Sequence, residues 1–305
     1  MNFEELLKKQ KQNDFDSIRS AANSEKENPY GGGSGPDDRF WKPSVDKAGN
    51  GSAIIRFLPA PDSEIPWNKF YSHGFKGDSG RWLIENCLTS IKKPCCICEA
   101  NGRLWSSGLD SDKDIARSRK RRLHYVTNIL VLKDPENPEN NNKVFLYKFG
   151  PKIFEKILEK LQPTFEDEKP VDPFNLLRGV NFALKIKQIG GYWNYDSSRF
   201  GDEVGALYNG DEDKLKKVFE SLYPVLEFTD PKNYLSYEDL ESKMNEVLLG
   251  SSSGKTNNYR TEESSFSKKS SFEPARPSAA SSSDESDSEE EDDDMAYFRK
   301  LAQSM

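Results

Sequence analysis

The chain has 305 residues, of which 34% are hydrophobic and 31% charged, and its formal net charge is −7. That balance fits a modest core with long polar segments, and no apolar run is long enough to span a membrane. The opening stretch MNFEELLKKQ has no apolar core of the kind a secretory signal needs, so the expected setting is a reducing cytoplasm rather than a secreted protein.

In chain order, residues 1–22 read as a helical arm. Asn2 and Glu5 have the spacing of a capping box, Leu6 and Leu7 follow, and Lys8, Lys9 and Lys11 give a positive end. Residues 23–39 have linker composition, with Gly31, Gly32, Gly33, Gly35 and Pro36. A folded region is expected over 40–250. SAIIRFLPA (52–60) reads as a buried strand ended by prolines, and RWLIENC (81–87) is a second candidate. LHYVTNILVLKD (123–134) and KVFLYKFG (143–150) flank a turn-rich PENPENNN and predict a long-looped hairpin. PKIFEKILEKL (151–161) switches to helical period, with Pro151 in the first turn. VNFALKIKQIGGYWNY (180–195) supplies another strand and a Gly-Gly turn. Helices are predicted over 211–223 and 236–250, the second capped by Ser236 and ended by Gly250. About five strands with one helix between the last two predict a mainly β fold, a small OB-type barrel with added helices. From 251 onward the composition predicts a disordered tail.

The charge is unevenly spread. Residues 281–305 carry nine acidic groups against Arg299 and Lys300, a local −7, and the rest of the chain is formally neutral. Within that neutral body, residues 113–152 hold ten basic and four acidic side chains. The run includes Arg117, Arg119, Lys120, Arg121 and Arg122 and leads straight into a strand carrying Tyr125. The partner strand carries Tyr147 and Lys148. The later GGYWNYDSSRF adds Tyr192, Trp193, Tyr195, Arg199 and Phe200. Cations that track phosphates, interleaved with rings that stack on bases of any sequence, suit a single strand, because a duplex hides its base faces. About half of the aromatics on any strand should instead face the core.

All four cysteines lie between 87 and 98, and the pattern is His73-x13-Cys87-x7-Cys95-x2-Cys98. In a reducing compartment such a cluster reads as a metal site rather than a disulfide framework. Three sulfurs and one imidazole suit one tetrahedral Zn2+, and four protein ligands close the site, so it should be structural. Cys96 can replace Cys95 through a Cys-x-Cys pair; the two-residue spacing favours Cys95. PCCIC also contains half of a zinc-deaminase signature, but His73 is followed by Gly74 and Phe75, so the proton-shuttling glutamate of His-x-Glu is missing. No paired carboxylates stand at a recognisable catalytic spacing, so no catalytic residue is expected.

These residues resemble the helix-destabilising single-stranded-DNA-binding proteins of T-even-type bacteriophages. The matching stretches are DKAGNGSAIIRFLPA (46–60), SHGFKGDSGRWLIENC (72–87), the Cys-x-x-Cys at 95–98, NILVLKDPENPENNNKVFLYKFG (128–150), FALKIKQIGGYWNYDSSRF (182–200) and the acidic end. The resemblance implies an OB-fold core with an inserted zinc module at about 72–100 and ligands His73, Cys87, Cys95 and Cys98. It implies stacking by Tyr125, Tyr147, Tyr192 and Tyr195 and phosphate contacts from Arg119 to Arg122. It also implies cooperative arrays of the protein coating strands in replication, recombination and repair, in the cytoplasm of an infected bacterium. The arm would touch the neighbouring copy, and the tail at 251–305 would recruit phage replication and recombination proteins. The chain departs from the family in beginning MNFEELLKKQKQ rather than with a basic Ser/Thr run. It also has Val126 where an aromatic is expected, and Leu83 and Lys92 where tyrosines are, which shifts stacking toward Trp82 or Trp105. The competing reading is a zinc-organised replication adaptor with little DNA affinity of its own.

Overall fold

The computed structural model describes residues 2–12, 37–165 and 168–249. The expected linker up to residue 36, Gly250 and the tail lie outside the described residues.

Eight strands form an antiparallel sheet among the described residues. They are β1 (Gly51–Phe57), β2 (Trp67–Lys76), β3 (Trp82–Asn86), β4 (Arg122–Lys133), β5 (Val144–Phe149), β6 (Gly179–Ile189), β7 (Tyr192–Asn194) and β8 (Arg199–Gly205). The order β3-β2-β4-β1-β6-β7 curls because β4 is long enough to take several partners. Its first half pairs with β2, its second half with β1, and its other edge with β5. β6 likewise holds β1 on one edge and β8 and β7 on the other. Gly190 and Gly191, at φ +57° and +87°, make the two-residue turn from β6 to β7, a conformation that glycine adopts without steric cost.

The main core fills the curl with Ile55, Phe57, Trp67, Ile129, Val131, Phe149, Phe174 and Phe182. Six α-helices lie among the described residues. Helix α4 (Pro151–Leu161) has Pro151 in its first turn and buries Ile153, Phe154, Ile157 and Leu161, the face its period predicts. Helices α2 (Cys96–Ser106) and α3 (Asp110–Ser118) lie between β3 and β4. Helix α5 (Glu212–Glu220) is capped by Asp211, which accepts from Lys214 N at 3.1 Å.

Helix α6 (Tyr237–Leu249) starts at Ser236, whose Oγ accepts from Asp239 N at 3.0 Å. It is fastened to the β2–β3 hairpin by the ion pairs Arg81–Glu246 and Lys243–Glu85. Gly77 sits so close under it that a Cβ there would lie 2.1 Å from the Val247 carbonyl oxygen.

Helix α1 (Phe3–Gln12) begins with the capping box that the sequence predicts. Glu5 N donates to Asn2 Oδ1 at 2.8 Å and Asn2 N to Glu5 Oε2 at 3.1 Å. Its apolar face rests on the body: Leu6 joins Leu58, Leu207, Leu215 and Val218, and the Phe3 ring is 5.5 Å from Phe219.

Candidate nucleic-acid interface and metal centre

Asparagine side chains strap residues 223–229 across the sheet. Asn68 Nδ2 donates to Val225 O at 2.7 Å, and Asn128 exchanges hydrogen bonds of 2.8 and 2.9 Å with the Tyr223 backbone. The strap forms one wall of a cleft of about 940 Å³. Its floor is Tyr147, Lys148 and Phe149 of β5 and the turn Gly150–Ile153. Asp37 and Arg39–Pro43 make another wall, with Trp193 and Tyr195 also lining the cleft, Glu227 and Phe228 on the strap, and Lys232 and Asn233 just after it.

The cleft is cationic and aromatic together. Lys42, Lys148, Lys152 and Lys232 line it, with Phe40, Trp41, Phe70, Trp193 and Tyr195 among the rings. Arg39 is committed elsewhere, to Asp37 at 2.7 Å and Glu227 at 2.5 Å, and so ties one wall to the other. Burial, then the nearby Lys42 charge, lowers the Lys148 pKa. An anion in the cleft would relieve that second cost.

The predicted DNA-contacting residues divide into separate groups. Lys148 and Tyr195 line the cleft and are accessible. Tyr192 is 81% exposed at the β6–β7 turn, one residue from the cleft-lining Trp193. Tyr147 lines the cleft but is only 2% exposed, its ring 5.4 Å from Trp41. Tyr125 is a core residue, stacked on Phe154 at 3.9 Å with 8° between the rings. The face of β4 that was expected to carry it outward is covered by α4, and periodicity alone does not say which face a helix will cover.

The basic run divides in the same way. Arg119 ends α3 with its guanidinium 5.6 Å from the Phe75 ring, and Lys120 is half-buried. Arg121 is buried at 5% exposure and turned toward the His/Cys₃ cluster, where the expectation put it outward on phosphates. Arg122 is exposed at the start of β4. Register puts Arg122 and His124 on the same side as Lys148, because Val126 pairs with Lys148. Burial, then the Lys148 and Arg122 charges, pushes His124 down to about 3. Sequence reasoning missed Phe40, Lys42, Lys152 and Lys232, which come from three separate segments. The pairing of Phe40 and Trp41 with neighbouring Lys42 was the one local signal available.

At the β2–β3 end of the sheet, His73, Cys87, Cys95 and Cys98 bring their ligand atoms within 4.8 Å of one another, all buried. Cys87 Sγ is 3.6 Å from Cys98 Sγ, and His73 Nε2 is 3.5 and 3.6 Å from the sulfurs of Cys95 and Cys98. The group could hold a metal ion. Cys95, not Cys96, is the sulfur in it, because Cys95 precedes α2 in an extended conformation while Cys96 begins the helix. Hydrogen bonding from Cys87, then from Cys96 and Cys98, drives the Cys95 thiol well below its ordinary range. Hydrogen bonds to Cys87 and Cys95 push Cys98 well up. Crowded sulfurs cannot all ionise unless a cation joins them. The cluster sits in its own small core with Tyr71, Phe75, Leu83, Leu88, Ile97, Leu240 and Met244.

A curled antiparallel sheet with a basic, ring-lined cleft and a buried His/Cys₃ cluster that could hold a metal ion defines a mainly β protein with a candidate metal site. Residues 49–248 match the family described as gp32 DNA binding protein like, and the chain belongs to that family. It is 38% identical over 222 residues to the single-stranded DNA-binding protein of Enterobacteria phage T2, covering 72% of each chain. To the protein of the same name from Enterobacteria phage T4 it is 38% identical over 232 residues, 75% of this chain and 76% of the relative. A shorter match, 50% over 72 residues, joins it to the single-stranded DNA-binding protein of Escherichia phage SV14, covering 23% of this chain and 63% of the relative.

Proposed function

We propose that this protein binds single-stranded DNA without sequence preference and coats exposed strands during phage replication, recombination and repair, with no catalytic step. The observation that carries this reading is the cleft, which Lys42, Lys148, Lys152 and Lys232 line together with Phe40, Trp193 and Tyr195. Cations there would neutralise phosphates, and rings would stack on bases, at about 1–3 kcal/mol per base. The curled sheet is read as an OB-type barrel, a fold suited to holding such a strand across its face.

The cluster is read as a structural zinc site. Zn–S near 2.3 Å and Zn–N near 2.0 Å set tetrahedral edges of about 3.8 Å between sulfurs and about 3.5 Å from sulfur to nitrogen. Three of the separations, 3.6, 3.5 and 3.6 Å, are close to those figures, and all four ligand atoms lie within 4.8 Å of one another. Bound there, zinc would supply folding energy to the β2–β3–α2 region. His73 and Cys87 would hold the hairpin to Cys95 and Cys98 at the start of α2.

Self-association along the strand is part of the same reading. The surface of Leu207, Leu215 and Val218 that holds α1 could accept the α1 of a neighbouring copy, linking protomers head to tail. The acidic segment beyond residue 250 is read as the recruiter of replication and recombination proteins, acting in the cytoplasm of the infected host.

The test is a titration of labelled oligo(dT) followed by anisotropy across salt concentrations. Tight binding that weakens linearly in log salt supports the reading. Binding absent at low salt would move the zinc-organised adaptor to first place.

A further inference from the structure

Arg121 lies in the middle of the most basic run of the chain, yet its side chain is turned inward. It is 5% exposed. Nη1 donates to Cys98 Sγ at 3.7 Å and to Thr89 Oγ1 at 3.1 Å. Thr89 Oγ1 in turn lies 3.1 Å from Cys87 Sγ. The guanidinium carbon is 5.1 Å from the centre of the Tyr71 ring, and the Tyr71 carbonyl accepts from Cys87 N at 2.8 Å. One side chain therefore touches a sulfur ligand directly, reaches a second through Thr89, and packs on the residue that fixes the second ligand's backbone.

We infer that Arg121 is a positioning residue of the metal cluster and not a phosphate contact. The inference rests on the zinc reading above. Three thiolates and a divalent ion leave the site with one excess negative charge in a buried setting, where an unbalanced charge is costly. A guanidinium is the fitting counterion. It stays charged, it is weakly hydrated, and its planar fork can serve a sulfur and a hydroxyl at once while stacking on an aromatic face. A hydrogen bond to a ligand sulfur also holds that ligand's orientation.

The position has a consequence for the basic run. Arg121 immediately precedes β4, so its attachment to Cys98 sets where Arg122 enters the sheet face shared with Lys148. The run is thus split by function: the buried member holds the metal module, and its exposed neighbour is left to face the strand.

The test uses the full-length protein as wild type, Arg121→Gln, Arg121→Lys and Arg122→Gln. Zinc affinity is read by competition with a metallochromic chelator. The salt slope of oligo(dT) binding is read at saturating zinc. The expected result is zinc affinity about 10- to 100-fold lower in R121Q, partly restored in R121K, with the salt slope unchanged. R122Q should show the converse, wild-type zinc affinity and a slope lower by about 0.7. If R121Q is not recovered folded, R121K carries the test in its cobalt-loaded form, where a shifted thiolate-to-cobalt absorption band is expected. Wild-type zinc affinity in R121Q, with or without a lowered slope, overturns the inference, as does an unshifted R121K band. Wild-type protein that binds no zinc removes the metal reading itself, a result distinct from any difference between variants.

Discussion

Trp41 Nε1 donates a 2.9 Å hydrogen bond to Asp134 Oδ2 and so joins the segment before β1 to the turn after β4. The same carboxylate accepts from Asn137 N at 3.1 Å and from Asn140 Nδ2 at 3.2 Å, and it is 2% exposed. One buried acid therefore fixes a wall of the cleft and the loop of the β4–β5 hairpin. Asp134→Ala would leave the indole N–H buried without its acceptor, and the expected cost is about 1–3 kcal/mol of folding stability. Denaturant unfolding measures it, and an unchanged midpoint would contradict the role given to Asp134.

Two cleft residues should fail in different ways. Lys148→Ala is expected to lower the slope of log K against log salt by about 0.7, the share of one phosphate on a single strand. Tyr195→Ala should weaken binding by about 1–3 kcal/mol and leave the slope alone. Anisotropy titrations at four or more salt concentrations separate the two; identical behaviour would mean neither contact is of the proposed kind.

Tyr125 makes the opposite prediction. Its ring is stacked on Phe154 within the core, so Tyr125→Ala should cost about 3–5 kcal/mol of stability, as large aromatic truncations do. The folded fraction should bind DNA like wild type. A stable variant with lost affinity would restore Tyr125 to the interface.

His124 gives a pH dependence. Burial, then Lys148 and Arg122, holds it near 3, against 6.5 for a free imidazole. Below pH 6.5 the unfolded chain takes up a proton that the folded histidine refuses. Its contribution is thus fully present above 6.5 and is lost as pH falls toward 3. His124→Gln should flatten the fall in unfolding midpoint over that window, and matching slopes for the two proteins would refute the assignment.

Much of this was legible in the sequence, and the gaps have physical causes. The capping box at Asn2 and Glu5, the apolar face of α4 and the Gly-Gly turn each carry a local pattern, and each appears as read. β2 went unread because it is covered on both faces: Asn68, Ser72 and His73 are buried beside Phe70, Tyr71 and Phe75, so no alternation marks it. β8, mostly exposed and rich in glycine and charge, lacks apolar alternation for a different reason. The His73, Cys87, Cys95 and Cys98 cluster was legible because its spacing is local. The cleft was only half legible, since Lys42, Lys152 and Lys232 meet only through long-range packing. The burial of Arg121 was not legible, because a run of five cations gives no sign of which one turns inward.

If the His/Cys₃ cluster holds zinc as proposed, removing the metal should affect stability more than contact with DNA. The cluster anchors a small core that also holds α6, so a strong chelator is expected to lower the thermal midpoint and loosen the β2–β3 hairpin first. Hydrogen exchange with and without chelator measures this. Protection lost evenly over the whole sheet would contradict a separate module.

The central claim is that a cationic, ring-lined cleft holds single strands. It is tested most directly by tyrosine and tryptophan fluorescence during titration with a homopolymer single strand, set against a duplex of equal length across several salt concentrations. The account predicts strong quenching by the single strand alone, fading as salt rises. No quenching, or an equal response to duplex, would mean that Trp193 and Tyr195 do not meet bases and that the cleft is not the binding site.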